Sequence, residues 1–252
     1  MSESQRVRTE TEGGVRTLTL TRPEKKNAFD VEQALALWEA IDAASRDDEV
    51  RVLVVTAQGD YFSAGADVNL FLEMGSFHAS DLQKVARLYE PLRSCRKPTI
   101  AMLQGHCVGM GVTVLPHFDL VYAADHVTFT TPFVKLGLVL EYGSSQTLAA
   151  LIGPQRAKEL ILRATPLDAR TAADWGLVTR LFGADALRDE TMKIAHEIAA
   201  NPPGAVRESL RLLDRPASFE EAVQAEDAAL AERYGSEENV EAVTAILQRK
   251  RK

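Results

Sequence analysis

The sequence predicts an α/β fold with an appended helical region, and three observations carry that expectation. The apolar pattern alternates twice between the strand period and the helix period before residue 104. The run Val52–Val55 is apolar throughout and mostly β-branched, as expected of a strand covered on both faces of a parallel or mixed sheet. Beyond residue 150 the pattern is almost entirely helical, and strands first with helices last is the order of such a fold.

Val15 to Thr21 alternates apolar and polar residues and reads as a half-buried strand that stops at Arg22-Pro23. Asp30 is placed to cap a helix whose apolar positions Ala34, Leu37, Trp38 and Ile41 recur at helical spacing, with the polar run at Asp47 and Asp48 ending it. After Val52–Val55 comes a loop from Gln58 to Asp67. One helix is then expected from about Ala79 to Arg96, with Pro98 beyond its end, and a strand from Thr99 to Leu103. Later helices are expected at Pro154–Arg163, Asp168–Trp175, Ala184–Ala200 and Ala205–Leu213, then along one long segment from Phe219 toward the C-terminus. Asn201-Pro202-Pro203-Gly204 reads as a helix-breaking turn. Asp119 reads as a turn residue following a buried strand start.

At 252 residues and 46% hydrophobic content, the chain has enough apolar material for the core of one domain. A net charge of −7 offers no general attraction to nucleic acid, whose phosphates need a basic face. Cys95 and Cys107 have neither redox nor metal-ligand spacing, so a reducing compartment and no metal are expected. The polar start MSESQRVRTETEGG is not a signal peptide, no stretch approaches a membrane span, and the terminal QRKRK is not a peroxisomal address. A cytoplasmic protein with no membrane partner is the expectation.

Two glycine-bearing turns are candidates for chemistry. Tyr61-Phe62-Ser63-Ala64-Gly65-Ala66-Asp67 places small residues after an aromatic pair, where main-chain N–H groups can approach a ligand closely. Gln104 to Gly111 (QGHCVGMG) lies between a strand and the apolar run Val112–Leu115, and as a strand-to-helix turn it would present unpaired N–H groups to an anion. Its spacing is neither that of a Walker loop nor that of a Rossmann fingerprint. Each turn, taken alone, is also what an ordinary connection looks like.

Together, at this separation, the two turns resemble the paired oxyanion-hole signatures of the enoyl-CoA hydratase/isomerase, or crotonase, superfamily. The resemblance runs from Arg22-Pro23 and Asn27-Ala28 through both turns to Thr131-Pro132-Phe133, Gly137, Gly153-Pro154 and Trp175-Gly176-Leu177-Val178, and on to Ala245–Lys252. It implies a repeated ββα spiral over residues 1–195 and a helical trimerisation region over 196–252, assembled as a homotrimer or a dimer of trimers. It also implies acyl-CoA as substrate with no cofactor, and oxyanion donors at the N–H groups of Ala66 and Met110. Met110 stands where many relatives have glycine, a replacement that leaves the backbone donor in place.

Hydratases of this family resemble one another in using two glutamates, and here the matching positions are Thr113 and Phe133, neither a competent base. The acid available is Glu141, alone between Asp125 and Glu159 and flanked by apolar Leu138, Val139 and Leu140. Such surroundings would raise its pKa toward neutrality, and an exposed loop glutamate is the plainer alternative. The segment Thr131–Ser145 resembles the peroxisomal-type Δ3,Δ2-enoyl-CoA isomerases of fatty acid β-oxidation, in which a glutamate at this place is the single base. A similar acid occurs in the ring isomerases of phenylacetate breakdown.

For the coenzyme, the resemblance implies contacts at Lys25, Lys26, Ala64, Asp67, Arg249 and Lys250, and it places Asn69 where relatives often have lysine. Asp67 equally suits a structural role beside the first turn, and His106 and His117 read as structural. Phe71, Leu72, Met74, Phe77 and Phe133 are candidates for the acyl pocket, and core packing is the plainer reading of such apolar spacing. Other enolate-forming reactions of acyl-CoA, including hydration, ring isomerisation and thioester hydrolysis, remain open, as does non-catalytic acyl-CoA binding.

Overall fold

The structure is a computed structural model, and it describes residues 6–67, 78–213 and 218–249. Strands β1 (Val7–Glu12) and β2 (Val15–Leu20) form an antiparallel hairpin, in which Gly13 and Gly14 supply the two positive φ angles that a two-residue turn requires. Helix α1 (Val31–Arg46) follows, and the Asp30 side chain accepts from the Gln33 N–H as its cap. Next come β3 (Val52–Ala57), β4 (Tyr61–Ser63), α2 (Ala79–Ala86), α3 (Tyr89–Ser94), β5 (Thr99–Leu103), β6 (His106–Val108) and the single-turn helix α4 (Met110–Thr113).

After a 3-10 turn at Leu115–His117 come β7 (Leu120–Ala124), β8 (Thr128–Thr130) and a second 3-10 turn at Phe133–Leu136. Helices α5 (Ser144–Ile152) and α6 (Pro154–Arg163), strand β9 (Leu167–Asp168), α7 (Ala169–Trp175), β10 (Arg180–Phe182) and α8 (Leu187–Ala199) complete the core. Three further helices follow, α9 (Pro203–Leu213), α10 (Phe219–Arg233) and α11 (Glu237–Arg249). No described helix is long and apolar enough to cross a membrane.

Among the described residues the strands form two mixed sheets, one ordered β1-β2-β3-β5-β7-β10 and the other β4-β6-β8-β9. The chain visits them in alternation: β3 then β4, β5 then β6, β7 then β8, with helical segments after each pair. This is a ββα spiral. Every side chain of β3 is buried, because α8 packs across β2, β3, β5 and β7 while α1 packs on the hairpin side.

Several sequence expectations are corrected. The helix expected over Ala79–Arg96 is two helices, broken at Arg87–Leu88. Pro91 has no N–H, and its ring would clash with the Arg87 carbonyl if the helix ran through, so it is accommodated in the first turn of α3. The segment Gln58–Asp67 is not all loop, since Tyr61–Ser63 pairs with β6. The region after residue 150 also carries strands: β10 pairs parallel with β7 and joins the main sheet. The tail from Phe219 is two helices parted at Tyr234–Ser236, where Gly235 has φ +74°. Asp119 precedes β7 rather than following a strand start, and its carboxylate accepts from the N–H (2.6 Å) and the hydroxyl (2.8 Å) of Thr99, tying β5 to β7.

Candidate functional site

The parallel pairing of β4 with β6, and of β6 with β8, brings the segments that leave these strands to one edge of the small sheet. Ala66 follows β4, Met110 follows β6 and Phe133 follows β8. The two glycine turns are in contact: a Cβ on Gly65 would lie 2.8 Å from the Val108 carbonyl oxygen and 3.3 Å from the Met110 nitrogen. A Cβ on Gly111 would lie 2.7 Å from the Ser63 carbonyl oxygen. Only glycine permits this approach.

The Ala66 segment is fixed by its neighbours. Phe29 N–H donates to the Gly65 carbonyl at 2.8 Å, Asp67 N–H donates to the Phe29 carbonyl at 2.9 Å, and the Ser63 hydroxyl accepts from Gly65 N–H at 3.0 Å. Buried Asn27 accepts from Arg22 N–H and donates to the carbonyls of Gln58 and Tyr61, three bonds of about 1 kcal/mol each that hold the turn's entry. Neither the Ala66 nor the Met110 N–H donates to another described residue. The second is the free first donor of α4, at the positive end of that turn.

Glu141 is half-buried, and its Oε1 accepts from the Thr113 hydroxyl at 3.4 Å. Burial raises its pKa above the ordinary glutamate value, and the Thr113 bond opposes the rise. Thr113 ends the turn that Met110 begins, about 4.5 Å along the axis, so the carboxylate is bonded to the same short helix that presents that amide. The apolar residues beside Glu141 in sequence divide: Leu140 packs on the core and Tyr142 is buried, while the two before them face outward. Leu138 is 39% exposed and Val139 84%, because the 3-10 turn and left-handed Gly137 carry that run outward.

The flanking backbone is held tightly. Tyr142 has φ +55°, a left-handed conformation uncommon for a bulky residue, and Gly143 follows with φ +67°. The Glu141 carbonyl accepts from the N–H (2.9 Å) and hydroxyl (2.6 Å) of Ser144, Tyr142 hydroxyl donates to the Val85 carbonyl at 2.6 Å, and His117 Nε2 meets the Tyr142 carbonyl at 2.9 Å. Sequence reasoning missed the parts played by Tyr142 and His117. A tyrosine followed by glycine shows nothing of its φ, and His117 reaches the loop from 25 residues away.

Of the expected coenzyme contacts, the loop of Lys25 and Lys26 lies beside Ala64, whose N–H donates to the Lys26 carbonyl at 2.9 Å. Lys25 is exposed, and Lys26 Nζ lies over the Tyr61 ring, 4.8 Å from its centroid. Asp67 is buried and bound by Arg22 at 3.2 Å, and the same guanidinium holds Asp30 at 2.8 Å. Phe133 is buried where β8 gives way to the 3-10 turn. Arg249 closes α11, a helix whose Glu238, near its start, accepts from the Gly204 N–H and lines a cavity with Arg51 and Lys97. Lys250, Phe71, Leu72, Asn69, Met74 and Phe77 lie outside the described residues.

A sequence model of the enoyl-CoA hydratase/isomerase family matches residues 10–252. The chain belongs to that family. It is 36% identical over 248 residues to human enoyl-CoA delta isomerase 2, covering 96% of this chain and 63% of that protein, so it spans less than two thirds of that relative's length. It is 35% identical over 196 residues to the 1,2-epoxyphenylacetyl-CoA isomerase of Escherichia coli, covering 76% of this chain and 75% of the other. A provisionally named enoyl-CoA hydratase/carnithine racemase from Magnetospirillum magneticum AMB-1 superposes with a TM-score of 0.91 at 35% identity, over 98% and 97% of the two chains. The α/β spiral with two mixed sheets and C-terminal helices is therefore the crotonase fold of this family.

Proposed function

We propose that the protein is an acyl-CoA isomerase that moves a 3-enoyl-CoA double bond to the 2-position. The observation that carries the proposal is the half-buried Glu141 carboxylate, held by Thr113 on the one-turn helix whose first amide, Met110, is free among the described residues. Glu141 takes the proton from C2, and the electron pair moves onto the thioester oxygen, giving a dienolate that the N–H groups of Ala66 and Met110 stabilise where charge develops. The protonated Glu141 then returns the proton to C4, leaving a conjugated 2-enoyl-CoA. No water is consumed, and one carboxylate serves both steps. Hydration by a glutamate pair is disfavoured because Thr113 and Phe133 stand at the two glutamate positions.

Ring isomerisation is the second reading, favoured by the similarity to the E. coli epoxyphenylacetyl-CoA isomerase. The test follows the absorbance of conjugated 2-enoyl-CoA as it forms from a 3-enoyl-CoA, with hydration of 2-enoyl-CoA and turnover of the aromatic epoxide as parallel arms. Fast conjugation with slow turnover in the other arms supports the isomerase. Fast turnover only in another arm replaces it.

We further propose that residues 196–252 form a trimerisation region. Leu213, Val223, Leu230, Tyr234, Val240 and Val243 are exposed on α9, α10, α11 and the link before α11, more apolar side chain than a helical tail usually leaves in water. Sedimentation at micromolar concentration is expected to give a trimer or a multiple of it. A concentration-independent monomer overturns this.

A further inference from the structure

The segment Met110–His117 meets the candidate base once and the residue after it once. Thr113 bonds the Glu141 carboxylate, and one turn later His117 Nε2 bonds the carbonyl of Tyr142, the next residue in the chain. That carbonyl can only accept, so the ring nitrogen facing it carries the proton. His117 Nδ1 is buried without a hydrogen-bond partner among the described residues, and the ring stacks on Tyr89 with centroids 5.0 Å apart. Tyr142 is held in its left-handed conformation by this bond, by its hydroxyl on Val85 and by contact with Tyr89 at 5.5 Å.

We propose that His117 is a positioning residue for the reaction, fixing the height of Glu141 over the substrate by clamping the Tyr142 carbonyl to the same segment that carries the Met110 amide. The proposal rests on Glu141 being the base. Base and oxyanion donor are then tied to the same short segment, α4 and the 3-10 turn after it, rather than spaced by the exposed loop at 134–139. Burial lowers the His117 pKa, the bond to the Tyr142 carbonyl opposes the fall, and Arg93 adds to it. The groups facing the ring are Arg93, Tyr89 and Tyr142, and Glu141 lies beyond Tyr142.

The experiment compares wild type with His117→Leu, which keeps bulk and loses the donor, and His117→Gln, whose amide N–H extends about as far as Nε2. Three quantities are read: kcat and KM with a 3-enoyl-CoA, the titration of a 13C-labelled Glu141 carboxyl, and thermal unfolding. In His117→Leu, kcat is expected to fall roughly tenfold to a hundredfold, the cost of a displaced base, with KM little changed. The Glu141 titration moves toward the ordinary carboxylate range, and His117→Gln restores both. If His117→Leu does not fold, His117→Asn, whose amide falls short of the carbonyl, takes its place.

An unmoved Glu141 titration in a folded donor-less variant overturns the proposal, as does a kcat loss that glutamine does not restore. A wild type inactive on 3-enoyl-CoA counts against the isomerase reading instead, and the carboxyl titration still decides the role of His117.

Discussion

Glu141→Gln is expected to reduce kcat/KM for 3-enoyl-CoA isomerisation about a thousandfold or more, because it removes the group that both takes and returns the proton. The substitution keeps shape and an acceptor for the Thr113 hydroxyl, so the expected loss is chemical and KM changes little. Wild-type kcat/KM should fall on the acid side at a higher pH than an ordinary glutamate allows, since burial raises this pKa. The same shift has a consequence for stability. A carboxyl whose folded pKa is raised contributes stability that is fully present below its unfolded pKa and lost as pH rises through the folded pKa. At neutral pH the buried charge is therefore a cost, and the glutamine variant should unfold at a higher temperature than wild type, with the gap closing in acid. An active, unshifted Glu141→Gln protein would remove Glu141 from the mechanism.

Gly65→Ala is expected to remove most activity through the backbone alone. Gly65 has φ +87°, which costs an alanine about 1–2 kcal/mol, and its new Cβ would press on the Val108 carbonyl at 2.8 Å. Relief requires the first glycine turn to part from the second, which re-aims the N–H groups of Ala66 and Met110. Loss of one aligned oxyanion donor costs about a hundredfold to a thousandfold in kcat, while substrate binding through distant contacts survives. Retained kcat with only a lower unfolding temperature would show that these amides do not meet the developing charge.

What could be read from the sequence follows from how much signal each segment carries. Thr99–Leu103 and Pro154–Arg163 were legible to the residue, because a buried strand and an amphipathic helix opened by proline each repeat their pattern several times. Strands β4, β6 and β8, three residues each, complete barely one period, and they carry the turns of the site. The resemblance supplied Ala66 and Met110, and the contact of Gly65 with Val108 is the physical fact behind their pairing. Glu141 was legible as a lone acid among apolar residues, and of those residues Leu140 and Tyr142 are drawn inward. Leu138 and Val139 turn outward, which their composition does not show, and Thr113 meets the carboxylate from another part of the chain.

The place of β10 bears on how the molecule is made. Arg180–Phe182 pairs with Tyr122–Ala124, closing the far edge of the main sheet with a strand synthesised nearly sixty residues after its partner. From residue 141 onward the nascent chain already contains Ala66, Met110 and Glu141, yet β7 offers an unpaired row of N–H and C=O groups to any other extended segment. A ribosome stalled before Arg180 therefore leaves a chain with every proposed reacting group in place and an open sheet border, the form most exposed to joining a neighbour edge to edge.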